Sequence, residues 1–229
     1  MYKAILVIIA LFVPSISPAQ EQTSNQVIRF RAGYFDADKQ PIRLNPALPQ
    51  VVLVQISIIG GNIFGRPTSS KALSRAVPIG EVSRLELKQV QKFFKPLAAP
   101  IVANDESRHG FVIKPKNTKV ARLATVVFNP ETMFGLGAAS FRGESASENL
   151  LVVYFDRPCQ LTGTINEVGF EATYDVKINK AGLNLIKVVQ QVPYNKYHVT
   201  AAKMPKDPIH LAITPTVIQT NENKDSPTN

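Results

Sequence analysis

VVYFDRPCQLTG, Val152 to Gly163, is the stretch whose reading decides the fold. It completes an unbroken apolar run from Leu150 to Phe155, and beyond Cys159 it alternates Leu161, Gly163 and Ile165 with Thr162 and Thr164, the two-residue period of a strand. Asp156 favours turn geometry and Pro158 has no N–H for a ladder, so Asp-Arg-Pro reads as the corner between two strands. The chain's single cysteine, Cys159, sits at that corner beside an acid and a base. A nucleophilic thiol needs a base within reach, oxyanion donors and exposure, whereas His109, His198 and His210 are scattered along the chain. Cys159 is therefore expected as a small core-facing residue opening the second strand.

Outward from this corner, strand patterns recur at short intervals: VIRFRAGYF from Val27, VVLVQISII from Val51, GFVIKP, VARLATVVF, GFEATYDVKI, LNLIKVVQQV and PIHLAIT. In the first, Ile28, Phe30, Ala32 and Tyr34 alternate with Arg29, Arg31 and Gly33. The second is nearly continuous in β-branched residues and reads as a central strand buried on both faces, ended by Gly60 and Gly61. TYDVKINKAGLNLIKVV turns at Asn179 to Gly182 and predicts a hairpin. No helical pattern long enough for a crossover intervenes, which predicts an antiparallel β-sandwich of immunoglobulin-like or transthyretin-like type, in one or two lobes. Residues 36–50, 60–80 and 129–149 read as long loops.

EVSRLELKQVQKFFKPLAAP, from Glu81, carries two periods. Leu85 and Leu87 alternate with charged neighbours, and then Val90, Phe93, Phe94 and Leu97 share a helical face opposite Lys88, Lys92 and Lys95. The segment predicts a strand over 83–88 running into a short helix over 89–96. The polar run ANDESRHG marks a boundary between an N-terminal β-rich lobe, 27–103, and a C-terminal lobe, 109–216, followed by a disordered tail, 217–229. At the other end Lys3 precedes an apolar run from Ala4 to Val13, a Pro14 breaker, and Ser17 and Ala19 as small residues. That plan predicts a secretory signal peptide cleaved after Ala19, because the run falls well short of the roughly 20 residues that cross a bilayer. A periplasmic or extracellular protein with no transmembrane segment in its mature chain is expected.

The runs VYFDRPCQLTGTI and YDVKINKAGLNLIKV resemble the C-terminal half of a loose group of uncharacterised exported bacterial β-proteins. In that group a strand ending in an Asp-Arg turn, a Gly-Thr strand and an Ala-Gly-(Trp/Leu)-Asn hairpin recur, and PIGEVSRLELK is similar to their first lobe. Leu183 stands here where tryptophan is common in the group. The resemblance implies fold and export and lends no activity.

The formal net charge is +9, spread along the chain without the clustered basic and aromatic residues of a nucleic-acid binder. An exported basic protein is expected to meet anionic envelope glycan or lipid, or an envelope protein. No spacing of His, Cys or carboxylates matches a metal site, no nucleophile elbow or phosphate cradle is present, and no cofactor is expected. The leading expectation is a non-enzymatic accessory or binding protein acting through its loops, with Phe64, Arg66, Phe134, Phe141 and Arg142 as exposed recognition residues. Two alternatives stay open. One is a hydrolase of envelope glycan or ester whose carboxylates or serines come together only in the folded chain, with no site visible in the sequence; the other is a basic membrane-surface protein using Arg84, Lys88, Lys92 and Lys95.

Overall fold

The computed structural model of the chain describes residues 27–36, 40–42, 48–61, 70–100, 108–143, 145, 147–167, 169–191 and 195–215. The expected signal peptide (1–19), the tail (217–229), Phe64 and Arg66 lie outside these residues. In chain order the elements are β1 (Val27–Tyr34), β2 (Val51–Gly60), β3 (Ser70–Pro78), β4 (Val82–Glu86), α1 (Leu87–Leu97), β5 (Ala99–Pro100), β6 (Arg108–Lys114), β7 (Lys119–Phe128), β8 (Gly135–Arg142), β9 (Glu148–Phe155), β10 (Cys159–Glu167), β11 (Phe170–Ile178), β12 (Gly182–Gln191), β13 (Lys196–Ala202) and β14 (Ile209–Ile213). The described chain is mainly β with one short helix, and the strand-to-helix switch falls at Glu86/Leu87.

Two strands lie where loops were expected. In β3 the described side chains offer only Leu73 and Val77 as large apolar residues, and β8 is built largely of Gly135, Gly137, Ala138 and Ala139. Neither segment has the apolar contrast from which a period can be read. Pairing makes them strands: β3 lies antiparallel to β2 from Val51↔Pro78 to Ile59↔Ser70, and β8 is held by β7, β14 and β9.

The sheet is mixed rather than wholly antiparallel. Its order is β4-β1-β14-β8-β7-β9-β12-β13-β11-β10-β6, with β2 and β5 joined at β7 and β3 at β2. β1 runs parallel to β14, and β11 parallel to β13. A parallel pair needs a long connection, and here intervening strands supply it instead of a crossover helix. The turn after Ile178 forms as expected, with Gly182 at φ 107° and the Asn184 amide donating to Lys180 and Gly182 carbonyls at 3.3 and 3.0 Å. The strands it joins do not pair as a hairpin, because β13 lies between them and β12 takes β9 and β13 as partners.

Two hydrophobic cores share one wall. Val152 and Tyr154 of β9 and Leu183 and Leu185 of β12 face the first core, while Val153 and Phe155, with Ile186 and Val188, face the second. Consecutive apolar residues in these strands therefore mark burial on both faces. β2, expected to be buried that way, instead alternates: Val52, Val54, Ile56 and Ile58 enter the first core and the residues between them stay half-exposed. Around this core the path β1–β14–β8–β7–β2–β3 returns to β1 through an Ala32↔Ile79 bridge, with the Gly80 N–H donating to the Ala32 carbonyl at 2.9 Å. The return leaves few open edges. It also means that the described residues of 27–100 and 109–215 contribute to one sheet and together build the first core.

Helix α1 is amphipathic: Leu87, Val90 and Phe94 are buried in the first core while Lys92 and Lys95 are exposed. Phe94 is 0% exposed and lies 6.4 Å from the Tyr154 ring, a burial that contributes roughly 2–3 kcal/mol. Pro96 has no N–H to continue the ladder, and the helix closes at Leu97 with the Ala98 N–H donating to Phe94 at 2.9 Å.

Candidate anion-binding face

The alternation that buries Ile28, Phe30, Ala32 and Tyr34 turns Arg29 and Arg31 outward, and the same period in β4 buries Ser83 and Leu85 and exposes Val82, Arg84 and Glu86. Antiparallel register then sets Arg29 directly opposite Arg84 and Arg31 opposite Val82. On the other edge of β1, Arg31 is level with His210 of β14, and His210 with Arg142 of β8. Neighbouring strands are about 4.8 Å apart, so these side chains occupy one patch a few strands wide. Among the described residues no salt bridge involves Arg29, Arg31 or Arg84. The carboxylate closest in register is Glu86, diagonal to Arg29.

Phe35, just past β1, folds over this face. Its ring contacts the Arg142 guanidinium at 4.5 Å and meets the His210 ring edge-on at 5.7 Å. Burial lowers the Arg142 pKa, while the Asp36 carboxylate pulls it back up; one Asp36 oxygen also accepts the Gln40 N–H at 2.7 Å. The placement corrects the expectation of an exposed loop at 129–149. Arg142 is 7% and Phe141 5% exposed, and Phe141 packs edge-on against Phe30 at 5.5 Å in the first core. Phe134, by contrast, is 76% exposed, next to the exposed Met133.

The basic stripe anticipated over Arg84, Lys88, Lys92 and Lys95 is divided. Arg84 belongs to the arginine face of β4, whereas Lys92 and Lys95 project from α1, with the Lys92 ammonium 5.1 Å from the Phe93 ring centroid. The Lys88 side chain lies outside the described residues.

The opening stretch is a structural corner. Asp156 accepts the Lys119 N–H at 2.9 Å and a forked hydrogen bond from Arg157, whose Nη2 lies 2.8 Å away. Burial pushes the Asp156 carboxyl up, but the Arg157 and Lys119 hydrogen bonds and charges outweigh it and hold the pKa below the usual value. Cys159 is buried among the second-core residues, and that burial, with the Asp156 charge, pushes its thiol up to about 12. A thiol so protonated is a weak nucleophile.

Other chemistry-bearing groups are engaged elsewhere or apart. Glu171 pairs with Lys196 at 3.3 Å, Asp175 is exposed, and the Ser145 and Ser147 hydroxyls share a hydrogen bond of 3.0 Å. Among the described residues no group of three or more His, Cys, Asp or Glu could hold a metal ion. A cleft of about 680 Å³ opens between the start of β9 and the KMPKDP bridge to β14, lined by the Glu148–Lys187 pair (3.3 Å), Lys203, Lys206 and His210. His210 of the arginine face also lines it, but Glu148, Leu150 and Lys187 point to the opposite side of the sheet from His210, Arg142 and Asn149. Among the described residues no helix is long and apolar enough to cross a membrane. No protein-family model, curated protein or solved structure matches the chain.

Proposed function

We propose that the chain is an exported, non-enzymatic binding protein of the bacterial cell envelope, and that it takes anionic ligands on the face formed by Arg29, Arg31, Arg84 and His210. One observation carries the reading: Arg29 and Arg84 are exposed cross-strand partners in no salt bridge among the described residues. Like charges set directly opposite one another in a sheet are destabilising, and a bound phosphate or carboxylate reverses that by accepting bidentate hydrogen bonds from both guanidinium groups. Export, argued from Lys3, the apolar run to Val13 and the small residues before Gln20, supplies a compartment rich in such groups. The two cores, packed on opposite faces of a shared wall of strands, support a layered, sandwich-type reading of the fold, with parallel pairs as a departure from the immunoglobulin-like and transthyretin-like plans.

The experiment is co-sedimentation with vesicles of anionic or zwitterionic phospholipid, alongside titration with a soluble acidic glycan, at low and high salt. Binding to anionic vesicles alone assigns a lipid headgroup as ligand, and binding to both assigns the anionic group itself. Absence of salt-sensitive binding in every arm refutes the proposal.

A further inference from the structure

The arginine face does not end at β8. Arg142 is level with Asn149 of β9, Asn149 and Val188 of β12 are partners, and Val188 is level with Val199 of β13, so one sheet surface runs on from the cations. Along that surface the chemistry changes from charged to apolar. There a cavity of about 380 Å³ opens, lined by Ser140, Asn149, Leu151, Phe170, Val188 and Tyr197. Phe170 of β11 and Tyr197 of β13 flank it with rings edge-on at 6.4 Å, while the polar lining residues Ser140, two along β8 from Arg142, and Asn149, level with Arg142 on β9, lie next to the arginine face. The volume falls within the range of small-ligand sites, and such sites join an apolar lining to a few convergent polar groups.

We infer that this cavity receives the apolar tail of a single-chain amphiphile whose anionic head, a carboxylate or phosphate, rests on the arginine face. The inference rests on the proposed function and names its ligand class. Charge complementarity selects the head: Arg142 lies one strand from Asn149 and Arg31 three, roughly 5 and 14 Å away, within the span of a medium-length alkyl chain. The lining selects the tail, because an extended polyanion has nothing to place against Leu151, Val188 and the two rings. A neutral amphiphile would offer no counter-charge to Arg29, Arg31 and Arg84, which among the described residues are in no salt bridge.

Calorimetric titration of the purified chain with dodecanoate and dodecyl phosphate, below their aggregation concentrations, tests this against dodecyl maltoside (same tail, neutral head) and inorganic phosphate (head, no tail). Both anionic amphiphiles are expected to bind at least tenfold more tightly than either control. Arg31→Gln, at an exposed position, should bring dodecanoate down toward dodecyl maltoside, and Ser140→Phe, which fills the cavity, should weaken all three dodecyl ligands. If Ser140→Phe fails to fold, Tyr197→Ser supplies the same readout. Dodecyl maltoside binding as tightly as dodecanoate overturns the inference. Inorganic phosphate binding as tightly as dodecyl phosphate also overturns it, yet leaves the arginine face standing. Anion affinities indifferent to Arg31→Gln and to Arg29→Glu remove the proposed function as well.

Discussion

Arg29→Glu should stabilise the protein while abolishing what the arginine face does. In the wild type Arg29 faces Arg84 across the β1–β4 ladder and has Arg31 two residues along the same strand. The substitution turns both relations from repulsion to attraction, and an opposite-charge pair at this spacing contributes roughly 0.2–1 kcal/mol. Against that, the new carboxylate lies diagonal to Glu86, which subtracts a few tenths of a kcal/mol. A net gain of about 0.5–1 kcal/mol remains, equivalent to roughly 1–4 °C in Tm for a chain of this size. Thermal unfolding followed by circular dichroism at low ionic strength reads it, and a repeat near 1 M salt, where the Debye length is about 3 Å, should erase most of the difference. A lower Tm at low salt, or a gain indifferent to salt, would show that the two guanidinium groups do not repel one another as the register requires.

Gly163→Ala should be among the most damaging single-methyl changes in the chain. Gly163 sits at φ 94° in the β10 bulge, and an added Cβ would meet the Gly110 backbone carbonyl oxygen at 2.1 Å and the Phe111 Cα at 2.7 Å; a cost of about 3 kcal/mol or more, with increased amide exchange along β6, is expected. Cys159 should resist iodoacetamide at pH 8–9 in the native protein and react on unfolding. Its raised pKa also makes stability fall as pH rises above the unfolded thiol's value of roughly 8.5 toward 12, a loss that Cys159→Ala should reduce in alkaline melts. Asp156→Ala should cost about 1–2 kcal/mol at neutral pH by orphaning the Lys119 N–H and Arg157, and because the native carboxyl has a lowered pKa the penalty should shrink as pH drops below about 4.

Much of the strand content is legible from local pattern, because burying one face of a strand writes a two-residue period into the chain. β1, β7, β10 and β11 carry it plainly, and the Asp156–Pro158 corner and the helix after Glu86 are equally local. What escapes is non-local. β8 is assembled from residues too small to show a period, and its Phe141 and Arg142 become buried only because β14, β7 and β9 all reach it. The parallel pairing of β1 with β14 joins opposite ends of the described chain, and no periodicity announces it. The candidate site shares that fate. Arg29 and Arg31 are visible in the sequence as the outward positions of a strand, yet only register places Arg84 opposite one and His210 beside the other. Spacing alone groups Arg84 with Lys88, Lys92 and Lys95 as one anionic-surface contact, and the strand ending at Glu86 sets Arg84 apart from the helix.

The most direct test compares two double charge reversals of equal net charge, Arg29→Glu/Arg31→Glu on the sheet face and Lys92→Glu/Lys95→Glu on the helix, for binding to anionic vesicles at low salt. The arginine face predicts at least a tenfold loss, about 1.4 kcal/mol, for the sheet pair and little change for the helix pair. Equal losses from both would mean that overall charge, and not the opposed arginines, draws the protein to anionic ligands.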